Sequence, residues 1–250
     1  MVSVTEDSAQ VLLHKGRYVA RLAQGPSDLS RAQALRHLCF RGGGGLDADR
    51  FDDLCQHVLV TSGDDLVCVF RLLPLPSGAA LPRSYAGQHY DLSPMAAVPG
   101  PVLELGRFCI HPQARDPDIL RVAWAALTAL VDRAGVRLLT GCSSFAGTDP
   151  APYTDAFAVL QGQHLVDPAL RPRIAAPEVV RFASLAAHPP DLKRAALTLP
   201  PLLRTYLLMG GRVSDHAVID RDLDTLHVFT VLDIGAIPPA RARLLRDLAR

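Results

Sequence analysis

Two apolar runs in the first third of the chain predict a β-hairpin. Residues 55–61 and 66–73 are mostly apolar, and the polar segment Ser62-Gly63-Asp64-Asp65 separates them. A short polar turn between two β-rich runs is typical of antiparallel strands that pair with each other. We therefore predict a hairpin with its turn at 62–65.

A second pattern predicts a strand, a helix and another strand. Residues 102–111 form an apolar run that Pro112 stops, and Asp116-Pro117 is typical of a helix start. Apolar residues then recur at helical spacing until Gly135, and 136–143 is again apolar. Two strands joined through a helix are expected to be parallel neighbours in one sheet.

The other segments predict shorter elements. They are a strand at 17–24, a helix that starts at Asp28 or Ser30 and ends before the glycines at 42–45, a Pro-, Gly- and Ser-rich excursion at 74–101, helices near 153–160 and 202–209, a β-rich run at 226–232 and a solvated helix at 240–250. We read residues 1–13 as a loose N-terminal lead and 236–250 as a C-terminal tail. No repeat or interdomain linker is visible, so the pattern predicts a single mixed α/β domain.

Composition and charge narrow the class of protein. Of 250 residues, 49% are hydrophobic and 20% charged, which favours a compact globular chain. The formal net charge of +1 argues against a nucleic-acid partner. Five cysteines without a C-x-x-C pair indicate a reduced, cytoplasmic protein with no disulfide framework and no metal site. We identify neither a signal peptide nor an apolar stretch of membrane-spanning length.

Two charges in the apolar run at 102–111 are the most informative feature. Glu104 and Arg107 are three positions apart, so in a regular strand they point to opposite faces. A buried charge requires a counter-charge, a wet cleft or a ligand. Candidate partners are Arg36, Asp49, Asp52, Asp53 and Arg71. The run is therefore either part of an internal ion-pair network or the site of a general base, Glu104.

One competing motif is dismissed. Residues 216–220 have the H-x-x-x-D spacing found in one class of acyltransferases. The match is short, and the chain is too small for the two-domain fold of those enzymes.

These residues resemble a known superfamily. Arg36…Phe40, the D-x-x-D element at 49–52, Arg71-Leu72-Leu73-Pro74 and the E-x-x-R-F element at 104–108 resemble the acyl-homoserine-lactone synthases, which share the GNAT (GCN5-related N-acyltransferase) fold. A closer resemblance is to bacterial L-ornithine Nα-acyltransferases. It is carried by Tyr90-Asp91-Leu92-Ser93, by 103–107, by the helix with Trp124, by 139–145, and by the late segments 201–207 and 219–222.

The resemblance implies a fold and a reaction. The fold is a mixed, mostly antiparallel sheet with a central splayed parallel pair, flanked by helices. The reaction moves a (3-hydroxy)acyl chain from acyl carrier protein to the α-amine of L-ornithine, giving lyso-ornithine lipid. Alternatives are an enzyme resembling the lactone synthases, another acyl-amide-forming GNAT enzyme, or a non-catalytic GNAT-like binding module.

The resemblance also implies roles for particular residues. Glu104 is the general base, and the backbone at Phe108, Cys109 and Ile110, together with Arg115, contacts the phosphopantetheine thioester. Acceptor binding or ion pairing remains open for Arg36, Asp49, Asp52, Arg71 and Arg107.

The same resemblance bears on the donor and the location. No cofactor is permanently bound. The loop at 112–116 lacks the glycine-rich pyrophosphate cradle of CoA-using relatives, which favours a carrier-protein thioester over CoA. The absence of the tryptophan that lactone synthases carry between Phe40 and the D-x-x-D element favours ornithine over S-adenosylmethionine. We expect a cytoplasmic enzyme, compatible with peripheral contact at the inner membrane.

Overall fold

The computed structural model describes residues 10–185 and 189–249 of the chain. Helices flank a mostly antiparallel sheet that contains one parallel pair, so the predicted mixed α/β architecture is confirmed. The chain forms two compact units. The first contains the chain up to Leu72, Arg107–Arg133 and the residues from Arg243, and the second contains Leu73–Gly106 and Ala134–Ala242. The single-domain organisation stays a prediction.

The described residues contain six α-helices and twelve strands, joined by loops and 3₁₀ turns. The α-helices are α1 (Gly25–Phe40), α2 (Asp118–Arg133), α3 (Thr154–Gln163), α4 (Leu192–Thr198), α5 (Pro201–Leu208) and α6 (Pro239–Leu248). The strands are β1 (Val11–Lys15), β2 (Tyr18–Leu22), β3 (Gln56–Ser62), β4 (Asp65–Leu75), β5 (Tyr90–Asp91), β6 (Val102–Ile110), β7 (Leu138–Ala146), β8 (Arg173–Ile174), β9 (Val179–Arg181), β10 (Arg212–Val213), β11 (His216–Asp220) and β12 (Thr225–Asp233). Within these ranges, every helix falls short of the length and apolar character that a bilayer span requires.

The first strand of the described residues is one that the sequence pattern did not predict, and residues 1–9 of the expected lead lie outside the described residues. We expected a loose lead through residue 13, but Val11–Lys15 is β1 and pairs antiparallel with β2. Gly16 supplies the left-handed backbone (φ +58°) that a tight turn between these strands needs. A five-residue edge strand has too little alternation to be recognised without its partner. The hairpin of β3 and β4 is confirmed.

Helix α1 starts earlier than the sequence predicted. We expected a start at Asp28 or Ser30, but the helix begins at Gly25, and Pro26 lies in its first turn. Asp28 belongs to that first turn and stabilises it, because its carboxylate accepts the Gln24 N–H at 2.8 Å and pairs with Arg21. An acceptor in the first turn satisfies an N–H that has no partner within the helix.

The second unit is organised around β7. Strand β6 pairs with it in parallel from Val102 opposite Leu138 to Leu105 opposite Gly141, and both strands continue beyond this pairing. On the other edge of β7, β12 is antiparallel, followed by β11 and β9. The parallel relation of β6 and β7 confirms the predicted strand–helix–strand unit.

Gly141 permits the close approach of β6 and β7. A Cβ atom added there would lie 2.4 Å from the carbonyl oxygen of Leu105, which is a backbone atom that cannot move independently. We predict that Gly141→Ala lowers the free energy of unfolding by about 1–3 kcal/mol, because the added methyl group overpacks a rigid contact. Urea unfolding measures the change.

Gly162 in α3 is the matched control, because a Cβ atom there meets nothing within 4 Å. Gly162→Ala should leave stability unchanged or raise it by up to about 1 kcal/mol, since alanine favours a helix. Equal effects of the two substitutions would contradict the proposed packing role of Gly141.

Candidate functional site

Three arginines and three aspartates form a buried network in the first unit. Its members come from α1, β4, β6 and the loop before β3: Arg36, Asp47, Asp49, Asp52, Arg71 and Arg107. The formal charges balance within the group. Such a balance is expected for buried groups, because an uncompensated charge in the interior lowers the stability of the fold.

Asp52 lies at the centre of this network. It accepts hydrogen bonds from Arg36 Nη1 at 2.7 Å and from Arg71 Nη1 at 2.6 Å, and Gln33 Nε2 donates at 2.9 Å. Burial by itself would raise the pKa of Asp52, but Arg36, Gln33 and Arg71 outweigh it and lower the pKa to about 2. Asp52 is therefore ionised at any physiological pH.

Asp47 and Asp49 link the remaining arginines. Asp47 Oδ2 accepts from Arg36 Nε and from Arg107 Nε, both at 2.9 Å. Asp49 pairs with both Nη atoms of Arg71, at 2.6 and 2.7 Å, and with Arg107 Nη2 at 3.2 Å. The structure thus brings together all five residues for which acceptor binding or ion pairing was left open. Every arginine of this set has aspartate partners.

Asp47 is a member of the network that was not predicted from sequence, and Asp53 was a candidate partner that lies outside the network. Asp47 was missed because it lies outside the D-x-x-D element at 49–52, although it is itself buried. Asp53, a candidate partner from sequence, is exposed to solvent.

Arg107 interrupts the regular geometry of β6. Its φ is +52°, a left-handed conformation that non-glycine residues rarely adopt in a strand. Such a residue breaks the alternation of side chains and re-aims those that follow. Strand β6 is therefore not the regular strand that its sequence predicted, because its backbone is irregular at Arg107.

Glu104, the candidate base, is buried in the second unit, with 4% of its surface exposed. Its two carboxylate oxygens accept the backbone N–H groups of Tyr85 and Ala86, each at 2.8 Å. These donors belong to a turn within the excursion at 74–101, which contains 3₁₀ turns and β5. Hydrogen bonds from backbone N–H groups to both oxygens stabilise the anion of Glu104.

Tyr206 of α5 belongs to the surroundings of Glu104. Burial first, and then the charge of Glu104, raise the pKa of Tyr206 well above its usual value. The raised pKa keeps the phenol neutral at physiological pH, so it remains a proton donor there. Sequence reasoning missed this neighbour, although the segment 201–207 contributed to the family resemblance.

The residues expected to contact a thioester lie at the end of β6. The ring of Phe108 stacks on Phe70 with 5.6 Å between centroids, and Cys109 is buried beside Cys39. The Cys39 thiol donates to the carbonyl oxygen of Ile110 at 3.4 Å. Cys109 therefore packs as a small apolar side chain.

A cavity of about 520 Å³ opens beside the loop that follows β6. It is lined by His111, Gln113, Arg115 and Asp116 from this loop, and by residues of β2 and β4, all in the first unit. Arg115 is exposed at this cavity. The loop that directly follows Phe108–Ile110 in the chain therefore offers a cation and a recess.

Asp116 already supplies an anion to the start of α2. Its carboxylate accepts the Asp118 N–H at 2.9 Å, and the Tyr18 hydroxyl and Arg17 Nη2 each donate to it at 2.7 Å. Asp116 thus accepts an N–H at the helix start, as the Asp116-Pro117 pair predicted, although α2 begins at Asp118 and not at Pro117. The positive end of the helix is thereby partly neutralised.

A histidine cluster in the second unit was not anticipated. The Tyr90 hydroxyl donates to the His227 carbonyl oxygen at 2.7 Å, and the Tyr90 ring lies 5.2 Å from that of His216. His216 Nδ1 lies 2.7 Å from an oxygen of Asp215, not Asp220, which agrees with dismissal of the H-x-x-x-D motif. The cluster members come from β5, β11 and β12, so no local sequence pattern connects them.

The buried imidazole of His227 should make the fold less stable at acid pH. Burial first, and then His89 and His216, lower the pKa of His227 from 6.5 to about 3. Below pH 6.5 the unfolded chain binds a proton that the folded chain excludes, so this contribution is complete above pH 6.5 and is lost as the pH falls. At about 1.4 kcal/mol per pH unit, unfolding should become easier by about 2–3 kcal/mol between pH 6.5 and 4.5.

Urea unfolding at several pH values tests this prediction. In His227→Gln the slope of the unfolding free energy against pH should fall by the amount that corresponds to about one bound proton, or about 1.4 kcal/mol per pH unit, over this range. An unchanged slope would show that His227 titrates alike in the folded and unfolded chains.

The chain is similar to enzymes of one kind over most of its length. An acetyltransferase (GNAT) domain model matches residues 36–125. An L-ornithine Nα-acyltransferase of Rhodobacter capsulatus is 33% identical over 238 residues, which cover 88% of this chain and 91% of that protein. A second, from Rhizobium meliloti, is 29% identical and covers 94% of this chain and 86% of its own.

Solved structures share the fold. An N-acyl amino acid synthase from uncultured soil microbes superposes with a TM-score of 0.51 at 12% identity, covering 93% of this chain and 97% of that one. A CoA-dependent acyl-homoserine lactone synthase has a TM-score of 0.50 at 12% identity, covering 88% and 81%. These likenesses establish the GNAT-like fold.

Proposed function

This chain belongs to the L-ornithine Nα-acyltransferase family, and we propose that it transfers an acyl chain from a thioester to the α-amine of L-ornithine, giving lyso-ornithine lipid. The observation that carries the proposal is the match to the Rhodobacter capsulatus relative, which extends over both compact units. The buried carboxylate of Glu104 supports it, because aminolysis of a thioester needs a proton acceptor.

The proposed chemistry forms one bond and breaks another. The α-amine nitrogen attacks the thioester carbonyl carbon, an N–C bond forms, and the C–S bond then breaks. The nitrogen loses a proton to Glu104, directly or through water, and this proton then passes to the thiolate of the carrier, which leaves as the thiol. The anionic state of Glu104 that the Tyr85 and Ala86 amides favour is the state a base requires.

Backbone N–H groups are the proposed partners of the developing oxyanion. We place them at Phe108, Cys109 and Ile110, because β6 continues past the end of its pairing with β7 at Leu105. Donors aimed at the carbonyl oxygen stabilise the tetrahedral intermediate. Arg115 would contact the phosphate of the phosphopantetheine arm from the neighbouring cavity.

The proposed donor is an acyl carrier protein thioester. The N-terminus of α2, which would attract a diphosphate, already has the Asp116 carboxylate as its acceptor. CoA would bring its 3′-phospho-adenosine diphosphate towards that anion, whereas the carrier-bound arm has a single phosphodiester. We predict that kcat/KM for an acyl carrier protein exceeds that for the matching acyl-CoA by roughly tenfold or more.

One set of assays tests donor and acceptor together. Purified enzyme is supplied with a 3-hydroxyacyl carrier protein or the same acyl-CoA, and with L-ornithine, L-lysine or S-adenosylmethionine as acceptor. Mass spectrometry should detect an acyl chain on the α-nitrogen of ornithine. Equal use of both donors would contradict the carrier-protein proposal, and a lactone product from S-adenosylmethionine would contradict the ornithine proposal.

A further inference from the structure

Three leucines on α4 and α5 are strongly exposed. The exposed fractions are 62% for Leu192, 84% for Leu197 and 59% for Leu208. They are three of the eight large hydrophobic side chains exposed in the described residues, yet they lie on two short consecutive helices. A single exposed leucine is ordinary, whereas a cluster is typical of an interaction surface.

Both helices are anchored by their opposite sides. Ala195 of α4 and Leu199 directly after it are buried, as are Leu203 and Tyr206 of α5. Leu199 and Leu203 belong to the apolar core of the second unit. The helices are therefore well packed, and the exposed leucines are not a sign of poor packing.

The exposed sides of α4 and α5 adjoin each other. Arg204 Nη1 lies 3.5 Å from the carbonyl oxygen of Ala196, so the exposed stripe of α5 reaches the outer side of α4. We refer to Leu192, Lys193, Leu197, Arg204 and Leu208 as the α4–α5 face. It combines apolar side chains with cations.

Positive charge is concentrated around this face. Between positions 189 and 212 the exposed cations are Lys193, Arg194, Arg204 and Arg212, and Asp191 is the one acidic residue. The Asp191 carboxylate accepts the N–H groups of Lys193 and Arg194 as the helix cap. Arg194 also pairs with Asp155 at 3.5 Å. Against a whole-chain net charge of +1, this is a local excess of cations.

We propose that the α4–α5 face docks on an anionic lipid bilayer. Short helices that present leucines among lysines and arginines insert the apolar side chains at the headgroup level, while the cations contact lipid phosphates. This goes beyond the proposed reaction and does not depend on it, because it rests on exposure and charge alone. A bilayer accepts separate protruding leucines without a shaped pocket, whereas a protein partner must match each of them.

Sedimentation with vesicles tests the proposal on the whole protein. Vesicles of phosphatidylcholine and phosphatidylglycerol in equal parts are compared with vesicles of pure phosphatidylcholine, without acyl donor or amine. We expect binding to the anionic vesicles and at least about tenfold weaker binding to the neutral ones. Raising the salt to about 0.5 M should weaken the anionic case, because counter-ions screen the charges.

Substitutions within the face separate its two components. Leu197→Ser with Leu208→Ser should weaken vesicle binding roughly tenfold or more, since both leucines lose their insertion. Lys193→Glu with Arg204→Glu should abolish the preference for anionic vesicles. Leu46→Ser is the matched control, because Leu46 is 56% exposed in the first unit and should not change binding. Circular dichroism checks that each variant is folded.

Four outcomes would overturn the proposal. The first two are that the wild-type protein does not bind anionic vesicles at low salt, and that it binds them but the leucine substitutions leave the binding unchanged. The last two are found without any vesicle binding: a dimer that only these substitutions dissociate, or binding of acyl carrier protein that the same substitutions remove. The last two would assign the face to a second copy of the chain or to the carrier. Loss of acyl transfer in the solution assay is a separate result, which bears on the proposed reaction alone.

Discussion

Glu104→Gln is expected to lower kcat by about a hundredfold to ten-thousandfold. A positioned general base contributes about this much, and glutamine cannot accept the proton of the α-amine. The substitution is close to isosteric, so the pocket keeps its shape. It also places an amide NH₂ against one of the N–H donors of Tyr85 or Ala86, which removes one hydrogen bond.

The pH dependence distinguishes a base from a merely structural carboxylate. In the wild-type enzyme the acidic limb of kcat/KM should reflect protonation of an essential base, and Glu104→Gln should remove this limb from the residual rate. Glu178→Gln is the matched control, because Glu178 is exposed and pairs with Arg221 on the surface. A Glu104→Gln enzyme that is folded and retains wild-type kcat would exclude Glu104 as the base.

Asp52→Ala is expected to destabilise the fold by about 3–5 kcal/mol. The aspartate accepts hydrogen bonds from Arg36 and Arg71, both almost completely buried, and its removal leaves two guanidinium groups short of a counter-charge. Urea unfolding at pH 7 measures the loss. Because its pKa is lowered to about 2, Asp52 stabilises the fold at pH values above about 4, and this contribution is lost as the pH falls towards 2.

Asp53→Ala is the natural control for this prediction. Asp53 is the adjacent carboxylate but is exposed, so its removal should change the unfolding free energy by less than about 0.5 kcal/mol. Arg36→Met combined with Asp52→Leu should recover part of the loss of Asp52→Ala, because an apolar pair leaves fewer unbalanced charges. Equal effects at positions 52 and 53 would contradict the network.

The ion network was partly accessible from sequence. Charges at 104 and 107 inside an apolar run implied buried partners, and Arg36, Asp49, Asp52 and Arg71 were the nearest candidates. Arg107 does join them, whereas Glu104 is held by the backbone amides of Tyr85 and Ala86. Backbone N–H groups carry no sequence signature, so this partnership could not be predicted.

Other features depended on tertiary pairing. Strand β1 has only five residues and is recognisable through its pairing with β2. The left-handed backbone of Arg107 could not be predicted, because a non-glycine residue gives no sequence signal for a positive φ. Residues 216–220 were considered only for their H-x-x-x-D spacing and were not predicted to be a strand. They form β11, which contributes His216 to the cluster with Tyr90 and His227. By contrast, the strand–helix–strand unit was predictable because its apolar periodicity is long and its helix start is strong.

Lipid mass spectrometry after expression in a bacterium that makes no ornithine lipid is the most direct test of the proposed function. The wild-type gene should give a new lyso-ornithine lipid with the acyl chain on the α-nitrogen, and Glu104→Gln, produced at the same soluble level, should give almost none. A diffusible acyl lactone in place of that lipid, or no new acylated product from a soluble and folded wild-type protein, would contradict the account.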